Sequence, residues 1–373
     1  MDFSLSEERR MLKETAERYL QDKYLWEDRN KSAETDLGYS KDHWRQMAEL
    51  GLIGALIPGE HGGYGGTGED IALIFEALGA SIVVEPFLAT AILGATPLWM
   101  AGNDEQKALV EQVMEGGLTL ALAHGEPKGR YHPSHVATTA KEDGGGWVLS
   151  GEKAMVVNGD SAEKLIVSAR VSGDTKDEDG IGLFLVDASG DGVSRREYGT
   201  VEGGQAAEIT LDGVKGEPIG EPGEAFPVLE ATLARGALAL AAEAVGNMIR
   251  CKDITLDYVK QRTQFGQPIG KFQALQHRMV EMVIEIEQAR SAVILAAAYL
   301  DSPREERERY VSAAKNLTGR VGRLVAEESI QLHGGIAMTW EYNLPHFAKR
   351  LVMIDHLLGD TDHHLRRFQA FAA

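Results

Sequence analysis

The sequence predicts an α+β multidomain protein with a helical N-terminal domain over 1–117, a β domain over 118–223 and a helical bundle over 224–373. Three observations predict it. Apolar residues recur at helical spacing in the first zone. Short apolar runs then alternate with Gly, Asp and Asn clusters, with no helical pattern between them. The last zone is long, Ala-rich and has few breakers, which favours helix.

In the first zone Ser4 or Ser6 is placed to cap a helix carrying Leu5, Met11, Leu12, Ala16, Tyr19 and Leu20. Further helices fit Lys41–Leu50, Gly68–Gly79 and Asn103–Gly116, with a Gly-rich loop at Gly59–Gly68. In the second zone strands are expected at Leu118–Ala123, Val136–Ala140, Trp147–Ser150, Ala154–Val157, Lys164–Ala169, Ile181–Val186 and Ala207–Leu211. Evenly spaced short strands suggest a small antiparallel barrel or sandwich. The acidic stretch Gly173–Gly180 reads as a solvated hairpin loop. In the third zone Ala225–Gln261, Phe272–Asp301 and Arg304–Leu332 are long helices, and a shorter one follows Asn343. Short loops between long helices predict an antiparallel bundle.

Composition narrows the function. The net charge is -19, which repels nucleic acid and anionic membrane; neither is an expected partner. A phosphate-bearing ligand would need local cations. The single cysteine, Cys251, lies in an apolar helical pattern and reads as a packed core thiol. No basic-then-apolar leader and no membrane-length apolar run are seen, so a cytoplasmic protein is expected. Gly63–Gly68 matches G-x-G-x-x-G, but no alternating βα pattern surrounds it, so a loop before a helix is the reading. His363 and His364 are adjacent and point to different helix faces; His356 and Asp360 are four apart. No metal-ligand constellation exists, and no metal is expected. A G-x-S-x-G elbow and a P-loop are likewise missing.

Two stretches of the third zone are specific. One is Arg262-Thr263-Gln264-Phe265-Gly266-Gln267-Pro268-Ile269-Gly270-Lys271-Phe272-Gln273; the other is Gln331-Leu332-His333-Gly334-Gly335-Ile336-Ala337-Met338. Alone, Arg262 could simply favour a helix C-terminus, and Gly334-Gly335 could cap one. Together, in this order, they resemble the acyl-CoA dehydrogenase family. The openings Phe3–Glu8, Leu50–Gly54 with Gly62–Gly63, and Gly151–Lys153 with Asn158–Gly159 resemble the same family, so the likeness runs the whole chain.

The resemblance implies a fold of N-terminal helices, a middle antiparallel β-barrel and a C-terminal four-helix bundle. It implies FAD, an acyl-CoA thioester substrate in lipid catabolism, and an electron-transfer flavoprotein as acceptor. In such enzymes a carboxylate removes the α proton while the flavin accepts the β hydride. Each flavin crosses a subunit boundary. The neighbour's contribution corresponds here to Arg262, Thr263, Gln264, Phe265, Phe272, Gln273, Gln331, Leu332, His333, Gly334 and Gly335. A guanidinium suits pyrophosphate, and glycines admit close backbone approach.

The half that would serve this chain's own flavin departs from the pattern. The family's Thr-Glu-Pro is Gly125-Glu126-Pro127, its following glycine-rich loop is Lys128-Gly129-Arg130-Tyr131-His132, and its Trp-Ile-Thr is Met155-Val156-Val157. The usual catalytic glutamate is missing: Leu358 and Gly236 stand at the two family positions. Asp360 and Glu243 are the candidate substitutes, although Glu243 more simply partners a buried cation. The chain therefore resembles the small, glutamate-lacking subunit of pimeloyl-CoA dehydrogenase type two-subunit enzymes. A heterotetramer with a homologous subunit is expected. The alternatives are a self-sufficient homo-oligomeric flavoenzyme using Asp360, or a non-catalytic acyl-CoA-binding scaffold.

Overall fold

A computed structural model describes residues 5–372; Phe3 and Ser4 lie outside the described residues. The helices of the first zone are α1 (Glu7–Lys23), α2 (Trp26–Ala33), α3 (Lys41–Glu49), α4 (Gly68–Gly79), α5 (Ala95–Ala101) and α6 (Asp104–Met114). The strands are β1 (Leu120–Ala123), β2 (Thr139–Asp143), β3 (Gly146–Val157), β4 (Lys164–Arg170), β5 (Ile181–Asp187), β6 (Val193–Gly199) and β7 (Gln205–Ile219). Then follow α7 (Phe226–Gln261), the hairpin β8 (Thr263–Gln264) and β9 (Gln267–Pro268), α8 (Gln273–Ala298), α9 (Arg304–His333), α10 (Leu344–His356) and α11 (Thr361–Ala370).

The helix starts follow side-chain chemistry. The Ser6 hydroxyl accepts from the Arg9 amide at 3.3 Å and opens α1. Thr67 and Asp70 form a reciprocal capping box on α4, so the end of the G-x-G-x-x-G match is a helix start. Asn103 and Gln106 do the same for α6. The stretch Phe87–Gly94, a π-helical segment running into α5, escaped the periodicity reading because it is buried on every side.

The chain forms two compact units. One holds the described residues up to Asn30, Thr67–Val83 and everything from Ala237 onward. In it α4 crosses α7 closely: a Cβ on Gly79 would strike the Glu243 carbonyl, and one on Gly246 the Glu76 carbonyl. Its C-terminal region has three long helices (α7, α8, α9) and two short ones (α10, α11), where a four-helix bundle was expected. Cys251 is fully buried on α7.

The second unit, Lys31–Gly66 and Val84–Gly236, contains the sheet. Strands β4, β2, β3, β7 and β5 close a five-strand ring, with β1 added to β4 and β6 to β7. The expectation of an antiparallel barrel needs correction: β1 pairs with β4 in parallel, and β2 meets β4 in parallel at Thr139 and Arg170. The runs 147–150 and 154–157 belong to one strand, β3, which passes through the turn-like Gly151-Glu152-Lys153 by two register shifts against β7. Strand β6 was not expected, because its pattern lacks an apolar face; it lies on the outside of β7.

The acidic loop between β4 and β5 is more than a solvated turn. Arg170, at the end of β4, is buried, and its guanidinium donates to the carbonyls of Ser134, Val136, Thr175, Asp177 and Asp179 at 2.7–3.3 Å.

Candidate active site

In the helical unit the hairpin after α7 is sharp. Phe265 and Gly266 both have positive φ, 53° and 80°, as a two-residue hairpin turn requires. A phenylalanine rarely adopts this conformation, and here it is also 90% exposed. Its ring meets the edge of Phe272, which precedes α8, at 6.1 Å. The Arg262 amide donates to the Tyr258 carbonyl and its own carbonyl accepts from Ile269, which closes the hairpin. The Arg262 guanidinium is exposed and has no partner among the described residues. Thr263, Gln264 and Gln273 are exposed beside it.

Gln331, Leu332 and His333 form the last turn of α9, and Gly334 leaves it with φ 68°. Gly334 and Gly335 look onto open space: a Cβ at either would meet nothing within 4 Å. Packing inside the chain therefore does not require glycine at 335. The two stretches are joined. The buried His333 ring stacks on Tyr258, one turn before Arg262, at 4.3 Å. His333 Nδ1 lies 2.8 Å from the Ser329 carbonyl, while Nε2 is buried without a hydrogen-bond partner. Burial holds this imidazole below its ordinary pKa.

The turn between α10 and α11 carries the substituted base position. Leu358 sits at φ 55° and Gly359 at φ 115°. Lys315 of α9 is fully buried and donates to the carbonyls of Ile354, Asp355 and Gly359 at 2.8–3.1 Å. Burial lowers Lys315 to about 8, against the attraction of Asp355 and Asp360. His364 approaches the Leu358 carbonyl at 3.1 Å through Nε2. The carbonyl can only accept, so in this contact Nε2 donates, and burial holds the imidazole well below its ordinary pKa. Asp360 caps α11, its carboxylate accepting from the His363 amide at 2.8 Å. Glu243 is buried on α7, and Arg350 grips it with two bonds of 2.6 and 2.8 Å.

In the barrel unit Gly236 is buried on α7, one residue after the buried Arg235. The Arg235 guanidinium lies over the Trp99 ring at 5.2 Å and donates to the Gly66 carbonyl. The segments Gly125–Pro127 and Ala154–Val157 are linked by the Ala154 amide on the Gly125 carbonyl at 2.8 Å. Behind them Lys153 donates to Glu126 at 2.8 Å, to Ser168 at 3.1 Å and to the His124 carbonyl at 3.3 Å. Burial alone would raise Glu126; the ammonium and the amides of Ala137 and Thr138 hold it at about 2. Burial pulls Lys153 down to about 8 and His124 to about 3. On the outer side Met155 stands at φ 53°. Its amide approaches Glu208 at 3.4 Å, and Tyr198 donates to the same oxygen at 2.8 Å. Burial and that carboxylate push Tyr198 up to about 12.

Sequence reasoning missed Lys153, Arg235 and Lys315 as organisers. The available signal was a lone cation inside an apolar run, as in Ala313-Ala314-Lys315-Asn316-Leu317. Among the described residues no group of three metal-ligating side chains occurs, and no helix is long and apolar enough to cross a membrane.

Models of three acyl-CoA dehydrogenase domains match in order: the N-terminal domain over 6–116, the middle domain over 121–214 and the C-terminal domain over 223–371. The chain belongs to the acyl-CoA dehydrogenase family. It is thus an FAD-dependent oxidoreductase acting on acyl-CoA. It is 31% identical to acyl-CoA dehydrogenase IpdE2 of Mycolicibacterium smegmatis, over 98% of this chain and 99% of that one. Among solved structures it is similar to a variant of the Tcur3481-Tcur3483 steroid ACAD, at 30% identity and TM-score 0.89, covering 99% and 98% of the two chains. It is also similar to butyryl-CoA dehydrogenase from Megasphaera elsdenii, at 26% identity and TM-score 0.88, covering 99% of each.

The helical edge fits part of a dinucleotide: a guanidinium with no partner among the described residues, and glycines whose Cβ positions face open space. The outer barrel face fits less well. Its exposed side chain at 155 is a thioether, and a carboxylate takes the neighbouring amide.

Proposed function

We propose that this chain is the base-lacking subunit of a hetero-oligomeric acyl-CoA dehydrogenase. It lends Arg262, Phe265, Gly334 and Gly335 to a flavin dinucleotide seated mainly on a homologous subunit. The observation that carries this reading is the combination of an unpartnered Arg262 with glycines at 334 and 335 that face open space. Packing inside the chain does not require glycine at 335 and gives the Arg262 guanidinium no partner among the described residues, and Phe265 is held in a strained, exposed turn. When bound, FAD supplies the hydride acceptor for desaturating the Cα–Cβ bond of an acyl-CoA thioester. Arg262 would clamp phosphate oxygens, and the Gly334–Gly335 backbone would approach without a Cβ in the way. Thr263, Gln264, Phe272, Gln273, Gln331, Leu332 and His333 shape and hold that edge.

Removal of the α proton falls to a carboxylate of the homologous subunit. Leu358 and Gly236 cannot accept a proton. Asp360 is engaged as a helix cap and Glu243 by Arg350, so neither is assigned as base. The electron acceptor in this reading is an electron-transfer flavoprotein. The steroid ACAD relative, named for two components, is in keeping with a two-chain assembly.

The test is the flavin spectrum and acyl-CoA turnover of the purified chain, alone and co-purified with a homologous subunit carrying the glutamate. The expected result is little flavin and no turnover alone, with both gained together. Full turnover by the chain alone would overturn the reading. If that turnover vanished in Asp360→Asn, a displaced base would replace it.

A further inference from the structure

The helical unit holds a cavity of about 510 Å³ between α1, the α1–α2 junction, α4, α7, α8 and the start of α10. Small-molecule pockets span roughly 300–1,000 Å³. None of the residues assigned to the flavin lines it, and none of the base positions or their substitutes does. Arg250, on its α7 side, lies about 18 Å along that helix from Arg262. One wall is rigid, because Gly246 lets α7 pass so close to α4 that a Cβ there would strike the Glu76 carbonyl. Another wall is apolar: Leu20, Tyr24 and Phe347 are buried, and Leu25 adds a side chain that is 51% exposed.

The charges around the cavity decide what it can hold. Lys13, Arg250 and Arg290 line it, and so do Glu17, Glu76 and Asp253. Most of these are already matched. Arg290 donates to Glu76 at 3.2 Å, Lys13 lies 3.7 Å from Glu17, and Asp253 is held at 2.8 Å by Lys252, which is outside the lining. Arg250 has no partner among the described residues. A second uncommitted group stands near it. Asn343 precedes α10, yet its side chain caps nothing and has no partner among the described residues. Two contacts run α10 antiparallel along α7: Arg350 on Glu243 at 2.6 Å, and the Asn247 carboxamide on the Phe347 carbonyl at 3.2 Å. The same register, carried one turn further, sets Asn343 beside Arg250.

A guanidinium and a carboxamide without acceptors, next to an apolar wall, are what a carboxylate on an apolar body requires. We infer that this cavity binds a small organic monocarboxylate, its carboxylate held by Arg250 and Asn343 and its body laid against Leu20, Tyr24 and Phe347. One uncommitted cation matches one negative charge. A second carboxylate would find no cation left for it, and an organic cation would meet Arg250 as a like charge. The inference involves no flavin and no second chain, so it can fail while the proposed function stands, and the reverse.

The experiment titrates the whole purified chain by calorimetry with sodium phenylbutyrate and, separately, with the neutral phenylbutanol. Saturable one-to-one binding of the carboxylate, tighter than that of the alcohol, is the expected result. Arg250→Gln should weaken the carboxylate at least about tenfold, as loss of a charged hydrogen bond implies, and leave the alcohol unchanged. Arg250 is exposed, so the thermal midpoint of this variant should match that of the parent. Ala80→Leu, which fills the cavity from the half-buried end of α4, should weaken both ligands. Its own midpoint, compared with the parent's, separates a filled cavity from a damaged fold. Carboxylate binding undiminished in Arg250→Gln, or in a stably folded Ala80→Leu, would overturn the inference by placing the probe elsewhere. So would equal affinity for the acid and the alcohol, or no saturable binding of phenylbutyrate by the parent.

Discussion

Lys153 and Arg262 are both cations in a chain of net charge -19, and the molecule treats them in opposite ways. Lys153 is sealed in the barrel with three acceptors, one of them the Glu126 carboxylate. The Arg262 guanidinium stands on an exposed hairpin with no acceptor among the described residues. The glycines repeat the contrast. A Cβ on Gly151, within the barrel, would strike Thr138, whereas one on Gly335 would meet nothing. The barrel network is complete within one chain. The hairpin edge is not, and the proposed function has it completed by a flavin seated on another chain.

The largest effect should come from breaking the complete side. Lys153→Met leaves Glu126 buried without its counter-ion and should cost about 3–5 kcal/mol, read as a fall in the urea midpoint. An exposed-type effect below about 0.5 kcal/mol would mean that the network is not what holds the two segments together.

Acid should probe the same region next. Glu126 titrates at about 2 in the fold against 4.5 ordinarily, and His124 at about 3 against 6.5. Both folded values are depressed. The unfolded chain therefore takes up protons first, and stability present above pH 6.5 is lost as pH falls. His124 acts between 6.5 and 3, and Glu126 below 4.5. Urea melts at stepwise pH should decline from 6.5 downward. His124→Asn should flatten only the upper part of that decline.

On the hairpin the expected stability effects are small. Phe265→Asn, which places a residue tolerant of positive φ in the turn, should raise the unfolding free energy by about 0.5–1 kcal/mol, read as a higher urea midpoint, and weaken flavin retention in the co-purified assembly. Smallest of all are Arg262→Gln and Gly335→Ala. Each should leave the melt within about 0.5 kcal/mol of the parent. Arg262→Gln should weaken FAD binding by the assembly at least about tenfold, as loss of a charged hydrogen bond implies. A clear loss of stability in either variant, with FAD binding intact, would erase the contrast.

Much of this was legible in the sequence, for physical reasons. Helices with one apolar face announced themselves; Gly68–Gly79 has its expected ends, and the structure adds the capping box that opens it. Strand β6 was not, because Val193-Ser194-Arg195-Arg196-Glu197-Tyr198-Gly199 lies on the outer side of β7 with no buried residue to set a period. The parallel pairing of β1 with β4 has no local signature at all. Arg262 and Gly334–Gly335 were found through motif resemblance, and the structure adds the His333–Tyr258 stack that links them. The lone Lys315 in an apolar run signalled a buried cation, but its partners were not legible, because its three acceptors are backbone carbonyls separated from it by about forty residues of chain.

Arg170 gathers five carbonyls from two segments, and four of those oxygens come from Ser134, Thr175, Asp177 and Asp179. Such a ring of oxygens on an aspartate-rich loop is the environment that a dissolved calcium ion seeks. Here the cation is tethered to the chain and arrives with folding. The loop's order should therefore be indifferent to chelators and to added divalent ions, and its local concentration of positive charge can never be diluted away.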